Sequence, residues 1–248
     1  MADRVIYGIN SVLKALERRA RDIRRVFLED GGDGRRHERV ARAAAAAGVT
    51  LDHVGRDELI KLTGTAKHQG VAARVAGQRE LDDHAALALI AGLTNPLVLV
   101  LDGVEDPRNF GAILRTADAA GVDLVVTGRS RGVALTPVVS KVASGAAETQ
   151  ALARVANLAR FLRALRAAGV RTVGTDEAGT TAIFDVSLTG PLALIMGGEG
   201  KGLRRLTREH CDALVRVPML GAVESLNVSV AAGVCVYEAI RQRRPGPA

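Results

Sequence analysis

Two short apolar segments constrain the fold of this chain most strongly. Residues 97–101 read LVLVL and residues 192–196 read LALIM, and each leads directly into a turn of polar or small residues. A strand without polar alternation is typical of a sheet that is buried on both faces. Further strand patterns near residues 123–127, 170–175 and 213–217 alternate with helical ones. The alternation predicts an α/β domain with a mainly parallel sheet. Its helices are expected near residues 109–120, 137–147, 157–168, 201–209 and 227–243.

The first 75 residues carry a separate alternation of helical and strand patterns. Asn10 or Ser11 can cap a first helix, and Gly48 and Gly64 can end the second and third. These signals predict a compact α/β unit, followed by a linker at residues 77–95. The helices are expected at residues 12–19, 38–47 and 57–62, and the strands at residues 25–29, 49–54 and 71–75.

Basic residues are concentrated in this first part of the chain. Residues 1–80 hold 16 Lys and Arg against 11 Asp and Glu, whereas residues 81–248 hold 18 against 16. A basic cluster favours a polyanionic partner such as RNA, although each single arginine can equally belong to a solvated helix end. The chain has four Phe, two Tyr and no Trp, so we expect phosphate contacts more than base stacking. The cluster consists of Arg18, Arg19, Arg21, Arg24 and Arg25.

Three junctions concentrate the polar residues that can do chemistry. Asn109 lies at a predicted helix start, and Arg115 follows among apolar positions, where an arginine must pair or reach into a cleft. Glu199 lies among four glycines after the second apolar segment, and such a backbone can approach a ligand closely. Ser225 and Asn227 lead into a long apolar helix, whose first N–H groups can hold a ligand. For either residue a simple helix cap is the alternative.

These junctions carry a family resemblance. The segments NFGAILRTA from residue 109, IMGGEGKGL from residue 195 and VPMLGAVESLNVSVA from residue 217 resemble the three signature motifs of the SPOUT class (TrmH/SpoU superfamily) of RNA ribose 2′-O-methyltransferases. They occur in the family's order. Within that class the chain is most similar to the RlmB type, which methylates a guanosine ribose in 23S rRNA. The segment His68-Gln69-Gly70 resembles a further signature of that group.

The resemblance implies a fold and a reaction. It implies an L30e-like RNA-binding domain at residues 1–76 and a SPOUT methyltransferase domain with a trefoil knot at residues 96–248. S-adenosylmethionine would be the methyl donor, and a guanosine 2′-hydroxyl of 23S rRNA, in the peptidyl-transferase P loop, would be the acceptor. The enzyme would be a homodimer, with Val230, Val234 and Tyr237 as a candidate contact face, although this face can equally be core.

The resemblance also implies catalytic and donor-binding roles for individual residues. Arg115 would contact the target nucleotide and assist deprotonation together with the adjacent phosphate, since a free guanidinium is too basic to act unaided. The other catalytic positions would orient Arg115, the ribose and the loops; they are Asn109, Glu199, Ser225 and Asn227. The donor would be held by backbone at Gly197, Val217 and Leu226.

The sequence alone leaves other functions possible. Related enzymes with the same motifs modify tRNA or confer antibiotic resistance by rRNA methylation. A hydrolase is suggested by the GRSRG turn around Ser130, with Asp185 and His210 in the chain order of a catalytic triad. Against it, no helix pattern follows Ser130 directly. A non-catalytic RNA-binding protein is the third possibility, and it leaves the three polar junctions unexplained.

Several classes are disfavoured by composition. No apolar stretch approaches the roughly 20 residues of a membrane span, and no secretory leader pattern begins the chain, so we expect a cytoplasmic protein without membrane contact. Cys211 and Cys235 lack a metal-binding spacing, so neither a metal site nor a disulfide is expected.

Overall fold

A computed structural model describes residues 3–32, 34–76, 80–130, 132–200 and 202–244 of the protein. The chain divides into two compact units. Unit 1 comprises Met1–Arg79 and Leu135–Thr149, and unit 2 comprises Glu80–Ala134 and Gln150–Ala248. Along the chain the elements are β1 (Arg4–Tyr7), α1 (Ile9–Arg19), β2 (Ile23–Glu29), α2 (Gly34–Ala46), β3 (Leu51–Val54), α3 (Arg56–Thr63), β4 (Val71–Val75), α4 (Asp83–Ala91), β5 (Leu97–Asp102), α5 (Pro107–Ala119), β6 (Leu124–Gly128), α6 (Pro137–Val142), β7 (Leu152–Val155), α7 (Leu158–Ala167), β8 (Arg171–Thr175), β9 (Thr181–Ala182), β10 (Leu192–Gly197), α8 (Arg205–Glu209), β11 (Ala213–Arg216) and α9 (Val228–Arg243).

Unit 1 is an α/β sandwich. Within its described residues the sheet has the order β1-β4-β2-β3, in which β4 runs antiparallel to β1 and β2, while β2 and β3 are parallel. Helices α1 and α2 pack on one face around Val26 and Ala73, and α3 packs on the other around Phe27 and Ala72. Strand β1 is the element that the sequence patterns missed.

The first helix is capped from a distance rather than by a local side chain. Neither Asn10 nor Ser11 is the cap, because α1 begins at Ile9 and its cap position is Gly8, with φ 91°. The side-chain oxygen of Gln69 accepts the Ile9 N–H at 3.1 Å. The predicted cap is therefore wrong, since the acceptor comes from a turn 60 residues away.

A segment from the middle of the chain completes unit 1. Arg4 and Arg19 place guanidinium nitrogens 2.6 Å and 3.0 Å from the carboxylate of Glu148, whose side chain is fully buried. The helix predicted at 137–147 is shorter than expected, because Ser144 and Gly145 have positive φ values of 54° and 99° and end it. Residues 135–149 therefore belong to the same compact unit as the N-terminal sheet, and the domain division expected at residues 76 and 96 stays a prediction.

Unit 2 is built on a sheet with the order β7-β6-β5-β10-β8-β11-β9 among the described residues. Every pairing between these strands is parallel, so the expected α/β class with a mainly parallel sheet is confirmed. Helices α4 and α7 cover one face, and α9 packs against α5 and β10. Helix α4 occupies much of the expected linker, and the short strands β7 and β9 were not predicted.

None of the helices in the described ranges has both the length and the apolar composition needed to cross a lipid bilayer. Cys211 and Cys235 are free thiols.

Candidate active site

A cavity of about 600 Å³ lies where β8, β10 and β11 of unit 2 end. Parallel strands place their carboxyl ends at one edge of a sheet, and ligand sites of α/β proteins are found at that edge. The volume is within the range typical of small-molecule sites. Seven of the eight residues predicted for catalysis and donor binding line this cavity: Asn109, Gly197, Glu199, Val217, Ser225, Leu226 and Asn227.

The glycine-rich segment after β10 forms one wall of the cavity. A Cβ atom on Gly197 would lie 2.3 Å from the carbonyl carbon of Gly202, and one on Gly198 would lie 2.3 Å from the carbonyl oxygen of Gly103. Side chains are therefore excluded at both positions by backbone that approaches from the other side. The predicted close approach is present, and it leaves peptide groups as the surface that a ligand meets.

An ion pair with a buried carboxylate connects this wall to the neighbouring strand. Asp102, at the end of β5, is fully buried, and its carboxylate accepts the Arg204 backbone N–H at 3.0 Å. The Arg204 guanidinium pairs with the same carboxylate. Removing Arg204 would leave the buried Asp102 carboxylate without its charge partner, so the pair favours one position of the loop after β10.

A chain of polar side chains links all three junctions. The amide of Asn109 donates to a carboxylate oxygen of Glu199. The amide of Asn227 donates to the side-chain oxygen of Asn109 at 3.1 Å. Asn227 in turn accepts from the N–H and the hydroxyl of Ser229, at 2.9 Å and 2.6 Å. Glu199, Asn109 and Asn227 are thus oriented by one another, although they are far apart in sequence.

The helix starts explain how two of these residues reach the cavity. Asn227 is the cap of α9, as the simpler interpretation of the sequence held, and its amide group is still free to donate to Asn109. Asn109 is not a cap. Asp106 caps α5 by accepting from two N–H groups at 2.7 Å and 2.9 Å, and Pro107 occupies the first helical position. Asn109 therefore lies inside the first turn and projects its side chain sideways.

Arg115 differs from the other predicted residues. It is exposed on α5, it is not among the residues lining the cavity, and in the part of the chain that the structure describes no partner pairs with it. It lies six residues after Asn109, about 9 Å along the helix axis. Its guanidinium is therefore available to a ligand from outside.

The sequence interpretation missed charged groups in the cavity wall. Asp176 follows β8 and is buried, and its carboxylate lies 2.6 Å from the guanidinium of Arg208. Glu177 and Arg216 line the cavity as well. The signal was present, since polar residues directly after a predicted strand at 170–175 belong to the same sheet edge.

The hydrolase alternative is contradicted by the sheet order. Ser130 follows β6, whereas Asp185 follows β9, and β5, β10, β8 and β11 lie between these strands. Five strand spacings separate the two residues by about 24 Å. The residues described after Ser130 are non-helical up to Thr136, so the turn lacks the helix of a nucleophile elbow.

Comparison with known proteins defines the class. Residues 96–237 match the SpoU rRNA Methylase family, and residues 5–81 match a model described as RNA 2′-O ribose methyltransferase substrate binding. The chain belongs to the SpoU rRNA methylase family, which confirms the resemblance drawn from the three motifs.

Individual relatives extend the likeness over nearly the whole chain. The 23S rRNA (guanosine-2′-O-)-methyltransferase RlmB of Photobacterium profundum is 47% identical over 245 residues, covering 98% of this chain and 100% of the relative. The protein of the same name from Escherichia coli K12 is 45% identical over 239 residues, covering 96% and 98%. The SpoU methyltransferase AviRb of Streptomyces viridochromogenes, solved in complex with AdoMet, superposes with a TM-score of 0.80 at 26% identity, covering 97% of this chain and 90% of that one.

Proposed function

We propose that this protein transfers a methyl group from S-adenosylmethionine to the 2′-oxygen of a guanosine ribose in 23S rRNA. The observation that carries the proposal is the polar chain at the edge of the cavity, built from the same three motifs by which the chain belongs to the SpoU family. Relatives named for this reaction match the chain over almost its full length, which narrows the substrate to 23S rRNA.

The cavity suits the donor. Backbone groups at Gly197, Val217 and Leu226 would hold it, and the apolar side chains of Met196 and Met219 add surface for a flat ring. The bound donor supplies an activated methyl group on a sulfonium. What this chain must supply is alignment of the ribose oxygen with that methyl group and a route for the hydroxyl proton.

The polar chain would provide the alignment. Asn109 and Asn227 hold each other in place, so that the second amide hydrogen of each, with the Ser225 hydroxyl, can orient the ribose. Glu199 would hold the glycine-rich wall in place by accepting a hydrogen bond from the Asn109 amide. Arg115 is exposed and unpaired within the described ranges, and it would bind the target nucleotide. Its positive charge would favour the deprotonated form of the 2′-hydroxyl, so that the neighbouring phosphate, a weak base, can accept the proton.

The remaining assignments concern organisation. Residues 1–76 would select the RNA, residues 77–95 would link the parts, and residues 96–248 would carry out methylation at the peptidyl-transferase P loop. The enzyme would act as a cytoplasmic homodimer. Val230 and Tyr237 are 52% and 50% exposed, and together with the half-buried Val234 they form an apolar stripe on α9 that a second copy could cover.

Incubation of the purified protein with methyl-labelled S-adenosylmethionine tests the proposal. Unmodified 23S rRNA should acquire about one methyl group per molecule, whereas tRNA should acquire none. The same incubation without protein serves as the background control. Labelling of tRNA alone would replace 23S rRNA by tRNA as substrate, and absence of label on both RNAs would refute methyl transfer.

A further inference from the structure

We infer that three arginines on one face of the unit 1 sheet, Arg24, Arg25 and Arg74, form a binding surface for RNA phosphates. The inference rests on the proposed function for the identity of the polyanion. These three residues are called the arginine face.

The arginine face exists because of an irregularity in β2. Pairing with β4 proceeds from Ile23 opposite Val75 to Arg25 opposite Arg74, so Arg24 is an extra residue in β2. In a regular strand two successive residues point to opposite faces. The bulge lets both arginines avoid the core face instead, since Ile23 and Val26 are buried and both residues between them are exposed. Bulges of this kind re-aim side chains and are enriched near functional sites.

The neighbouring strand adds a third positive charge directly opposite. Arg74 is the one exposed residue of β4, and it lies in register with Arg25 on one side and Val5 on the other. Like charges at directly opposed positions of a sheet destabilise it. A ligand that neutralises both charges would offset this cost.

Local acidic groups neutralise the face incompletely. Arg25 lies 2.7 Å from Asp52, and Arg24 lies 3.7 Å from Asp3, with the arginine side chains 49% and 59% exposed. Solvent-exposed pairs of this type are weak and exchange easily for a phosphate. Arg74 pairs with no group in the described part of the chain.

The rest of the same sheet face is covered. Helix α3 packs over Tyr7, Ala72 and Phe27, which occupy the next row of the sheet. The arginine row is the half that α3 leaves open. Guanidinium groups on a rigid sheet are preorganised for bidentate contact with phosphate oxygens, which favours RNA backbone over a neutral partner. The surface lies within the residues that match the substrate-binding model.

The test compares Arg74→Gln with Arg42→Gln in the full-length protein. Arg42 lies on α2, across the sheet from the arginine face, and it also is an exposed arginine of unit 1. Binding of unmodified 23S rRNA is measured by filter retention at several salt concentrations, without donor. Arg74→Gln should weaken binding about fivefold near 0.15 M salt and lower the slope of log K against log salt by about 0.7–0.9, the range for one lost phosphate contact to single-stranded or double-stranded nucleic acid. Arg74→Lys should restore most of the slope, and Arg42→Gln should change neither quantity.

Equal losses from Arg74→Gln and Arg42→Gln would overturn the inference, because they would show a general charge effect. Unchanged binding by Arg74→Gln, or failure of the unaltered protein to bind 23S rRNA, would also overturn it. Since no turnover is measured, the two proposals fail separately. An effect of Arg74→Gln on binding by a protein that methylates no RNA would support the arginine face and refute only the proposed reaction.

Discussion

Asn227 performs two structural tasks that substitution can separate. Its side-chain oxygen caps α9 by accepting from the Ser229 N–H, and its amide group donates to Asn109. Asn227→Ser keeps an oxygen suited to the cap and removes the amide donor. Asn227→Ala removes both. The serine variant is therefore the matched control for helix stability.

The magnitudes follow from these two contacts. Loss of an N-cap costs about 1 kcal/mol, which lowers Tm by about 2–4 °C in a protein of this size. Loss of one hydrogen bond that positions a reacting group is worth about 1 kcal/mol, or about fivefold in rate. We expect Asn227→Ala to lower both Tm and the rate constant of methyl transfer, and Asn227→Ser to lower that rate constant about fivefold with a smaller change in Tm.

The assay is single-turnover methyl transfer to 23S rRNA at saturating donor, run beside thermal unfolding of each variant. Recovery of the full rate by Asn227→Ser would refute the reasoning, because it would show that Asn227 acts only as a helix cap. A lowered rate at wild-type Tm would assign the effect to the amide group of Asn227 and not to its role as helix cap.

Three further predictions use other parts of unit 2. Gly198→Ala should reduce donor affinity at least tenfold in calorimetry, because the new Cβ would lie 2.3 Å from a carbonyl oxygen of the loop after β5, whereas Gly221→Ala, with nothing within 4 Å, should bind normally. Arg115→Ala should abolish turnover and leave donor affinity largely intact; an equal loss of affinity would contradict its assignment to the nucleotide. Burial raises the pKa of both the Cys211 and the Cys235 thiol to about 12, so both should stay protonated at pH 8 and react slowly with a thiol reagent until the protein unfolds; rapid labelling of the folded protein would contradict this.

The central strands of unit 2 were predictable from local pattern. Residues 97–101 of β5 and 192–196 of β10 are all apolar, because helices cover both faces of the sheet, and a continuous apolar run of this kind is visible in the sequence. Strands β1, β7 and β9 have two to four residues each, too few for a periodic signal. Their positions are set by neighbouring strands.

Long-range contacts explain the other differences between the sequence prediction and the structure. Glu148 is buried against Arg4 and Arg19, more than 120 residues away, and nothing in the local sequence indicates that pairing. In the candidate site, too, local patterns were predictable from the sequence and long-range contacts were not. Local patterns mark Asn109 and Asn227 as residues near helix starts, but their mutual hydrogen bond requires two helices to meet, and only the family resemblance placed them in one site.

The most direct test of the central claim is the chemical position of the transferred methyl group. After reaction with methyl-labelled S-adenosylmethionine, 23S rRNA is hydrolysed in alkali, which leaves intact only the linkage beside a 2′-O-methylated ribose. If the methyl group is transferred to the ribose, mass spectrometry should find one labelled, alkali-resistant dinucleotide that contains 2′-O-methylguanosine. Label recovered in ordinary mononucleotides would place the methyl group on a base and contradict the account.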